Sequence, residues 1–510
     1  MLGYLWLLQH FNLPAFALPH ASRLGTRSVL RANADGSVEE TYPASYAVAD
    51  DPVAHLVFAL KYDGVHPQVL HASFLALGVE ALSKAIQGKP TSKYLRLLGF
   101  WFEQLTSERL LCEDAKAGAY VPALAPEKYV SFAIEQAAEI SRIARWRVIN
   151  NIPGSRGWFP LIRKTEKIKR GIEASDAQAF QKLAGRYPAE LFRRASNYLY
   201  LKETRSSWLI EREQPSADRV ERFVKTLHQA GSISLLFRLN EEGLCDLQNQ
   251  IVDTRYAEPN FRDVQNFVGE TRPDYSERVH YICPTPQLVA GLMTDWADAN
   301  VPWVSALHPV IHAASCAFGF VFIHPFEDGN GRLHRYLIHE ILQSHGWGLR
   351  NLVLPLSATI LRRLPEYNAA LEAYSKPIQQ LAQYEFDADN RLKVLNPQVL
   401  ESSWRWPDLT RQVEFLFETI DHCLREDLPQ ELAYLLGYDR AKAALRDVVD
   451  MPDRKLDLLL TLLHGNSGKL SKNKRAQFAE ITDAELQQME LAYEQAIASA
   501  AFIKAPEAAS

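Results

Sequence analysis

Apolar positions along this chain recur mostly at the three-and-four spacing of a helix. Ala306, Leu307, Val310, Ile311, Ala314, Phe318 and Phe322 follow it, and so do Leu333, Leu337, Ile338, Ile341 and Leu342. Between these runs the stretch His324 to Arg335 turns polar and glycine-rich, so the pattern predicts a helix-loop-helix whose second helix opens at the glycines. Tyr94, Leu95, Leu98, Trp101 and Phe102 mark a further helix, and the chain beyond 365 reads as nearly all helical. Pro215 and Ser216 end one helix and start the next, and Thr482-Asp483-Ala484-Glu485 is a capping box opening the last one. Val279 to Ile282 is strand-prone and predicts a short hairpin.

These patterns make the fold mainly α and divide the chain in four. Residues 1–90 read as a mixed or helical domain with a polar loop near Ala32 to Glu40, and 91–175 as a helical region with a basic patch. Residues 176–365 hold the helix-loop-helix and form the core, and 366–510 form a helical domain. Its last unit, after the basic turn Lys469 to Arg475, reads as a winged-helix-like interaction module or a plain packing domain, and the tail from Lys504 to Ser510 as frayed.

At 510 residues the chain is long enough to bury a substantial core, and 47% hydrophobic content is ordinary for a globular protein. A net charge of -5 argues against global attraction to nucleic acid or an anionic membrane. Cys112, Cys245, Cys283, Cys316 and Cys423 are odd in number and scattered, which fits free thiols and a cytoplasmic location. Met1 to Leu18 is apolar but has no basic head and is broken by Gln9, His10, Asn12 and Pro14, so neither a signal peptide nor a membrane span is expected.

The polar loop suits phosphate chemistry. A helix start offers unpaired N–H groups and the positive end of its dipole, so Gly329, Asn330 and Gly331 form an anion cradle, with Arg332 and Arg335 leaning over it. His324 is placed to take a proton from a hydroxyl, and Asp328 to anchor Mg2+, which usually takes one or two carboxylates plus substrate phosphates. Phe326 reads as a buried pin for the loop.

These residues resemble the Fic family signature H-x-F-x-[DE]-G-N-[GK]-R-x-x-R, and all its fixed positions match. The resemblance implies a Fic-type helical core and a protein adenylyltransferase that moves AMP from ATP to a Ser, Thr or Tyr hydroxyl of a protein, with ATP as substrate and Mg2+ as metal. It gives His324 the part of base, Asp328 that of metal ligand, Gly329, Asn330 and Gly331 the anion hole, and Arg332 and Arg335 the phosphates. Phe261 to Gly269 is similar to the family's R-x-x-Q-N-x-[IV]-G stretch and Val279 to Pro286 to its Y-x-P-P-x-P segment, with Cys283 at a usual Pro. Val279, His280, Tyr281 and Ile282 would then form the flap, holding a target segment by backbone pairing. Ser207 and Glu211 resemble the family's inhibitory helix [ST]-x-x-x-E-[GN], with Arg212 at the Gly/Asn position. A Glu211–Arg335 pair would keep ATP misplaced.

Partners implied are a protein substrate, which includes the chain itself, with a homodimer left open. Two other readings remain beside AMP transfer: removal of AMP or another phosphate-ester transfer on the same core, and a silent adaptor acting through its basic patch. In that patch Arg142, Arg145, Arg147, Arg156, Arg163, Lys164, Lys167, Lys169 and Arg170 surround Trp146 and Trp158, which reads first as a solvated or paired surface and second as a nucleic-acid site. Gly465 to Ser471 lacks phosphate-loop spacing, His339-Glu340 finds its next His only at His345, and His308 with His312 reads as packing, so structural zinc is not expected.

Overall fold

The structure is a computed structural model that describes residues 1–33, 36–134, 141–174, 189–274, 277–347 and 352–501. It forms two compact units: Met1–Ala174, Pro215–Trp347 and Arg363–Phe417 in the first, and Ser175–Gln214, Gly348–Arg362 and Glu418–Ser510 in the second. The stretch 176–365 thus contributes to both units, and its start lies outside the described residues, as does the tail from Lys504.

In the first unit, helix α1 (Gly3–His10) buries Leu2, Tyr4 and Leu7 at its start and inner face. Leu2 has no capping side chain, so the half-buried Asp63 supplies the acceptor, taking the Tyr4 N–H at 3.1 Å and the Ser22 hydroxyl. Burial pushes the Asp63 carboxyl up to about 7. The apolar opening is therefore a core helix. Strands β1 (His20–Gly25), β2 (Val29–Ala32) and β3 (Val38–Pro43) form a sheet of order β1-β3-β2, parallel then antiparallel. Of the polar loop expected near Ala32 to Glu40, Ala32 ends β2 and Val38 to Glu40 open β3, so the stretch holds the connection of a hairpin.

Helices α2 (Pro52–Phe58), α3 (Pro67–Leu77), α4 (Val79–Gly88) and α5 (Lys93–Thr106) close over a core that includes Leu56, Phe74, Leu82, Leu98 and Trp101. The same core takes in Trp146, Val148 and Phe159, so the stretches before and after residue 90 share it. Among the described residues no single helix is long and apolar enough to cross a membrane; α3 and α4 pass that test only as a pair bent by 97°. Strands β4 (Val121–Pro122), β5 (Arg142–Ile143) and β6 (Val148–Ile149) follow, and then α6 (Glu166–Ala174).

Trp146 and Trp158 are fully buried, which removes them as stacking platforms for bases. Arg145 is held by Glu103 at 2.9 Å and Asp114 at 2.6 Å, Arg163 pairs with Asp408, and Lys169 with Glu166 at 2.7 Å. Three of the nine basic residues of the patch are thus held in ion pairs with this unit's own carboxylates.

The helix-loop-helix sits in the rest of this unit. Helices α7 (Ala217–His228), α8 (Leu235–Arg238) and α9 (Glu241–Ile251) precede a hairpin of β7 (Phe267–Thr271) and β8 (Glu277–Ile282). Next come α10 (Pro286–Ala306), α11 (Pro309–Ile323), α12 (Asn330–Ser344) and α13 (Leu364–Leu381). Helix α11 is buried on nearly every side between α10 and α12, as its all-round apolar sequence requires. A Cβ at Gly319 would lie 2.6 Å from the Trp158 ring, so only glycine lets that tryptophan wedge against α11. His312 does not pair with His308. Its Nδ1 lies 2.8 Å from His345 Nε2 and its Nε2 3.1 Å from Asn300 Oδ1, while His308 caps α11.

The described residues of the second unit hold helices and turns and no strand. Leu445, Leu456, Leu460, Phe478, Ile481 and Met489 form its terminal core. The Thr482 capping box is present, with Thr482 N–H donating to Glu485 at 2.8 Å and Glu485 N–H to Thr482 at 3.2 Å. Lys469 of the basic turn is paired with Glu490 and Glu494.

Candidate active site

The loop between α11 and α12 is built by closing the orphan carbonyls at the end of α11. His324 takes a left-handed conformation (φ 56°) and ends that helix. Its N–H bonds Phe320 O at 2.9 Å and its Nδ1 bonds Val321 O at 3.0 Å. The Tyr281 hydroxyl donates to Phe322 O at 2.6 Å, and Arg262 donates to Ile323 O at 3.5 Å and His324 O at 2.7 Å. All four last carbonyls are satisfied, two of them from the hairpin segment. Arg262 also donates to Pro284 O at 2.7 Å, stapling the hairpin to the loop.

This geometry sets the His324 tautomer. A carbonyl only accepts, so Nδ1 must carry the hydrogen and Nε2 keeps a lone pair. Burial pushes the imidazole down to about 4, although the side chain retains some solvent exposure. His324 is therefore a neutral acceptor at physiological pH.

Phe326 is completely buried, with its ring against Phe261 and Phe320, as the pin reading expects. Asn330 holds the loop as well as opening α12. Its side chain accepts the Phe326 N–H at 3.1 Å and donates to Phe326 O at 2.7 Å, so it clamps the loop and only its backbone is left to serve an anion. Gly329 has φ +91° and would bring a Cβ within 3.0 Å of Val252, which makes glycine obligatory there. Its N–H bonds Asp328 Oδ1 at 2.6 Å, so this member of the expected cradle is already engaged. The N-cap residue Gly329 has no side chain to cap the first turn of α12, and among the described residues no side chain bonds the Asn330 and Gly331 N–H groups that lie there.

Arg332 is fully buried and pairs with Asp328 Oδ1 at 2.6 Å, and Arg335 is buried on the same helix. Asp328 keeps 45% of its side chain exposed, and among the described residues its Oδ2 has no hydrogen bond. A single half-exposed carboxylate beside uncapped N–H groups fits a Mg2+ ion that draws its other ligands from phosphates and water. No group of three or more His, Cys, Asp or Glu side chains among the described residues forms a protein-only cage.

In the expected flap, Val279, Tyr281 and Ile282 are turned inward against α13, with the Tyr281 and Tyr374 rings 5.9 Å apart. Only His280 of that quartet is exposed; the exposed strand is β7, from Val268 to Thr271. Ser207 lies on the helix Ala189–Ile210 of the second unit, and Glu211 lies in the turn that follows. Arg212 has φ 59°, a left-handed position that glycine or asparagine fills with less strain. The departure at Arg212 therefore strains the turn beside Glu211.

Sequence reasoning missed Gln248 and Glu258, whose side chains bond the loop backbone. Burial, followed by like charge from Glu327 and Asp328, raises the Glu258 carboxyl. One signal was present: Gln248 is a polar residue on the apolar face made by Leu244, Leu247 and Ile251.

A Fic/DOC family model matches residues 238–342. A Drosophila willistoni "Protein adenylyltransferase Fic" is 31% identical over 152 residues, 30% of this chain and 28% of that protein. A Nematostella vectensis protein of the same name is 34% identical over 90 residues, 17% of this chain and 18% of its own length. The chain spans under a third of the length of these curated relatives. A Fic family protein from Desulfovibrio desulfuricans G20 superposes with a TM-score of 0.36 at 18% identity, over 59% of this chain and 87% of that one. The family match covers α9, the hairpin, the helix pair and the loop whose geometry is set out above: the chain carries a Fic/DOC family domain at residues 238–342.

Proposed function

We propose that the chain is a protein adenylyltransferase. What supports this most is the juxtaposition of an Nε2 lone pair on His324 with the uncapped start of α12 and the half-exposed Asp328 carboxylate. ATP lies with its phosphates at α12, where Arg332 and Arg335 add positive charge. His324 Nε2 takes the proton from a Ser, Thr or Tyr hydroxyl of the target. The hydroxyl oxygen bonds the α-phosphorus, the bond from that phosphorus to the bridging oxygen breaks, and pyrophosphate leaves. Mg2+ held by Asp328 would supply charge neutralisation at the phosphates. The exposed edge of β7 suits backbone pairing with a target segment.

Incubation with labelled ATP, Mg2+ and a cell lysate tests the reading, because a labelled protein band, self-modification included, requires transfer. The absence of any labelled band from wild type and from the Glu211→Gly protein would oppose it. A cytoplasmic location is part of the same proposal and rests on the free cysteines, four of them buried.

Two results follow from this geometry. Asp328→Ala loses the metal-dependent part of ATP affinity together with transfer, and calorimetry with and without Mg2+ checks it; identical Mg2+-ATP binding in the variant argues against the anchor role. The second concerns pH. A base works only when unprotonated, and the His324 imidazole is held near 4, so kcat/KM stays level from pH 8 down through 6 and falls only toward about 4. An acid limb centred at the ordinary histidine value of about 6.5 would contradict it.

A further inference from the structure

Glu258 belongs to none of the motifs, yet its carboxylate is bound to the backbone of the catalytic loop. Oε1 accepts the Glu327 N–H at 2.9 Å and the Asp328 N–H at 3.4 Å, and Oε2 accepts the Glu327 N–H at 3.2 Å. Gln248, fully buried on α9, braces it. Its Nε2 donates to Glu258 Oε1 at 3.2 Å and to Asp328 O at 3.3 Å, and its Oε1 accepts the Glu258 N–H at 3.2 Å. Both backbone groups of Asp328 are thereby tied to this pair.

A turn with successive N–H groups can present different members to an anion, depending on how its peptide planes are rotated. Here Glu258 takes the N–H groups of Glu327 and Asp328, which leaves the helix start at Asn330 and Gly331 to face a ligand. Charge alone would argue against a glutamate at this place. A half-buried carboxylate next to Glu327 and Asp328 repels a nucleotide and is costly to desolvate, so its contribution is geometric.

We propose that Glu258, braced by Gln248, is a positioning residue for adenylyl transfer: it fixes the peptide planes at 327 and 328, so that the Mg2+ ion the Asp328 carboxylate would hold and the first-turn N–H groups of α12 serve the same phosphates. This rests on the adenylyltransferase reading. A misplacement of about 1 Å at a reacting centre costs roughly 10^2-fold in rate, which sets the expected effect.

The experiment measures steady-state labelling from ATP in the more active of wild type and Glu211→Gly, and then in the same protein carrying Glu258→Ala or Glu258→Gln. The alanine variant lowers kcat by about 10^2-fold with little change in KM for the target. The glutamine variant keeps an acceptor oxygen and recovers most of the rate, a rescue that general destabilisation does not predict. Amide exchange gives a second readout that needs no transfer, with faster exchange across 326–329 in the alanine variant at an unchanged melting temperature. Parental kcat in Glu258→Ala, or a glutamine variant as slow as alanine, overturns the inference and leaves the enzyme reading standing. If the alanine variant does not fold, Glu258→Asp, with its carboxylate drawn back by one methylene, carries the test; parental kcat there overturns the inference as well. No transfer in any parent removes the enzyme reading and this inference together.

Discussion

His324→Ala binds ATP as the parent does and loses transfer by a factor of roughly 10^2 to 10^4, the usual worth of a general base. The two readouts separate because different atoms carry them. The N–H groups at the start of α12, the buried arginines and Asp328 remain in the variant, whereas the Nε2 lone pair is gone. His324 also ends α11 in a left-handed conformation, and its Nδ1 satisfies Val321 O, so alanine there carries a stability cost of about 1 kcal/mol or more. A melting curve therefore accompanies the assay. Unchanged turnover in a folded variant removes His324 from the chemistry.

Glu211→Gly raises transfer by about 10^2-fold, the scale set by misplacing reacting groups by about 1 Å, and adding Arg335→Ala abolishes the gain. The proposal behind this is competition. Arg335 is drawn to the terminal phosphate of ATP, and the Glu211 carboxylate captures it first, leaving ATP badly aimed for in-line attack. The two residues belong to different compact units. The double variant is the informative arm: if Glu211 acts through Arg335, the two changes are not additive. A Glu211→Gly protein that labels itself and its targets no faster than wild type defeats the inhibitory assignment and leaves the catalytic loop untouched.

Much of the site was legible because its signals are local. The helix-loop-helix follows from spacing along two adjacent runs, and Gly329 is demanded by a single positive φ. The Thr482 capping box spans one turn and forms as its sequence implies. The strand at Val279 to Ile282 was legible, but its pairing with Phe267–Thr271 and which of its residues face solvent were not. Val279, Tyr281 and Ile282 turn inward because α13 lies against that strand, a contact no local pattern encodes. The polar stretch near Ala32 to Glu40 concealed only where its flanking strands end, at Ala32 and Val38, since a one-sided strand and a loop are both rich in polar residues.

Within the site, residue type and spacing determined the chemistry available: an imidazole, a carboxylate, an uncapped helix start and two arginines within a few turns of chain. Tertiary structure decided which atoms of those groups are free to act. The Val321 carbonyl leaves Nε2 as the acceptor on His324, Asn330 spends its side chain on Phe326, and Gly329 gives its N–H to Asp328. Gln248, Glu258 and Arg262 reach the loop from 62 to 80 positions away, so their hydrogen bonds exist only once the chain has folded. Sequence periodicity reports which side of an element is apolar, whereas the pairing of one donor with one acceptor depends on distances and angles that only the folded backbone sets.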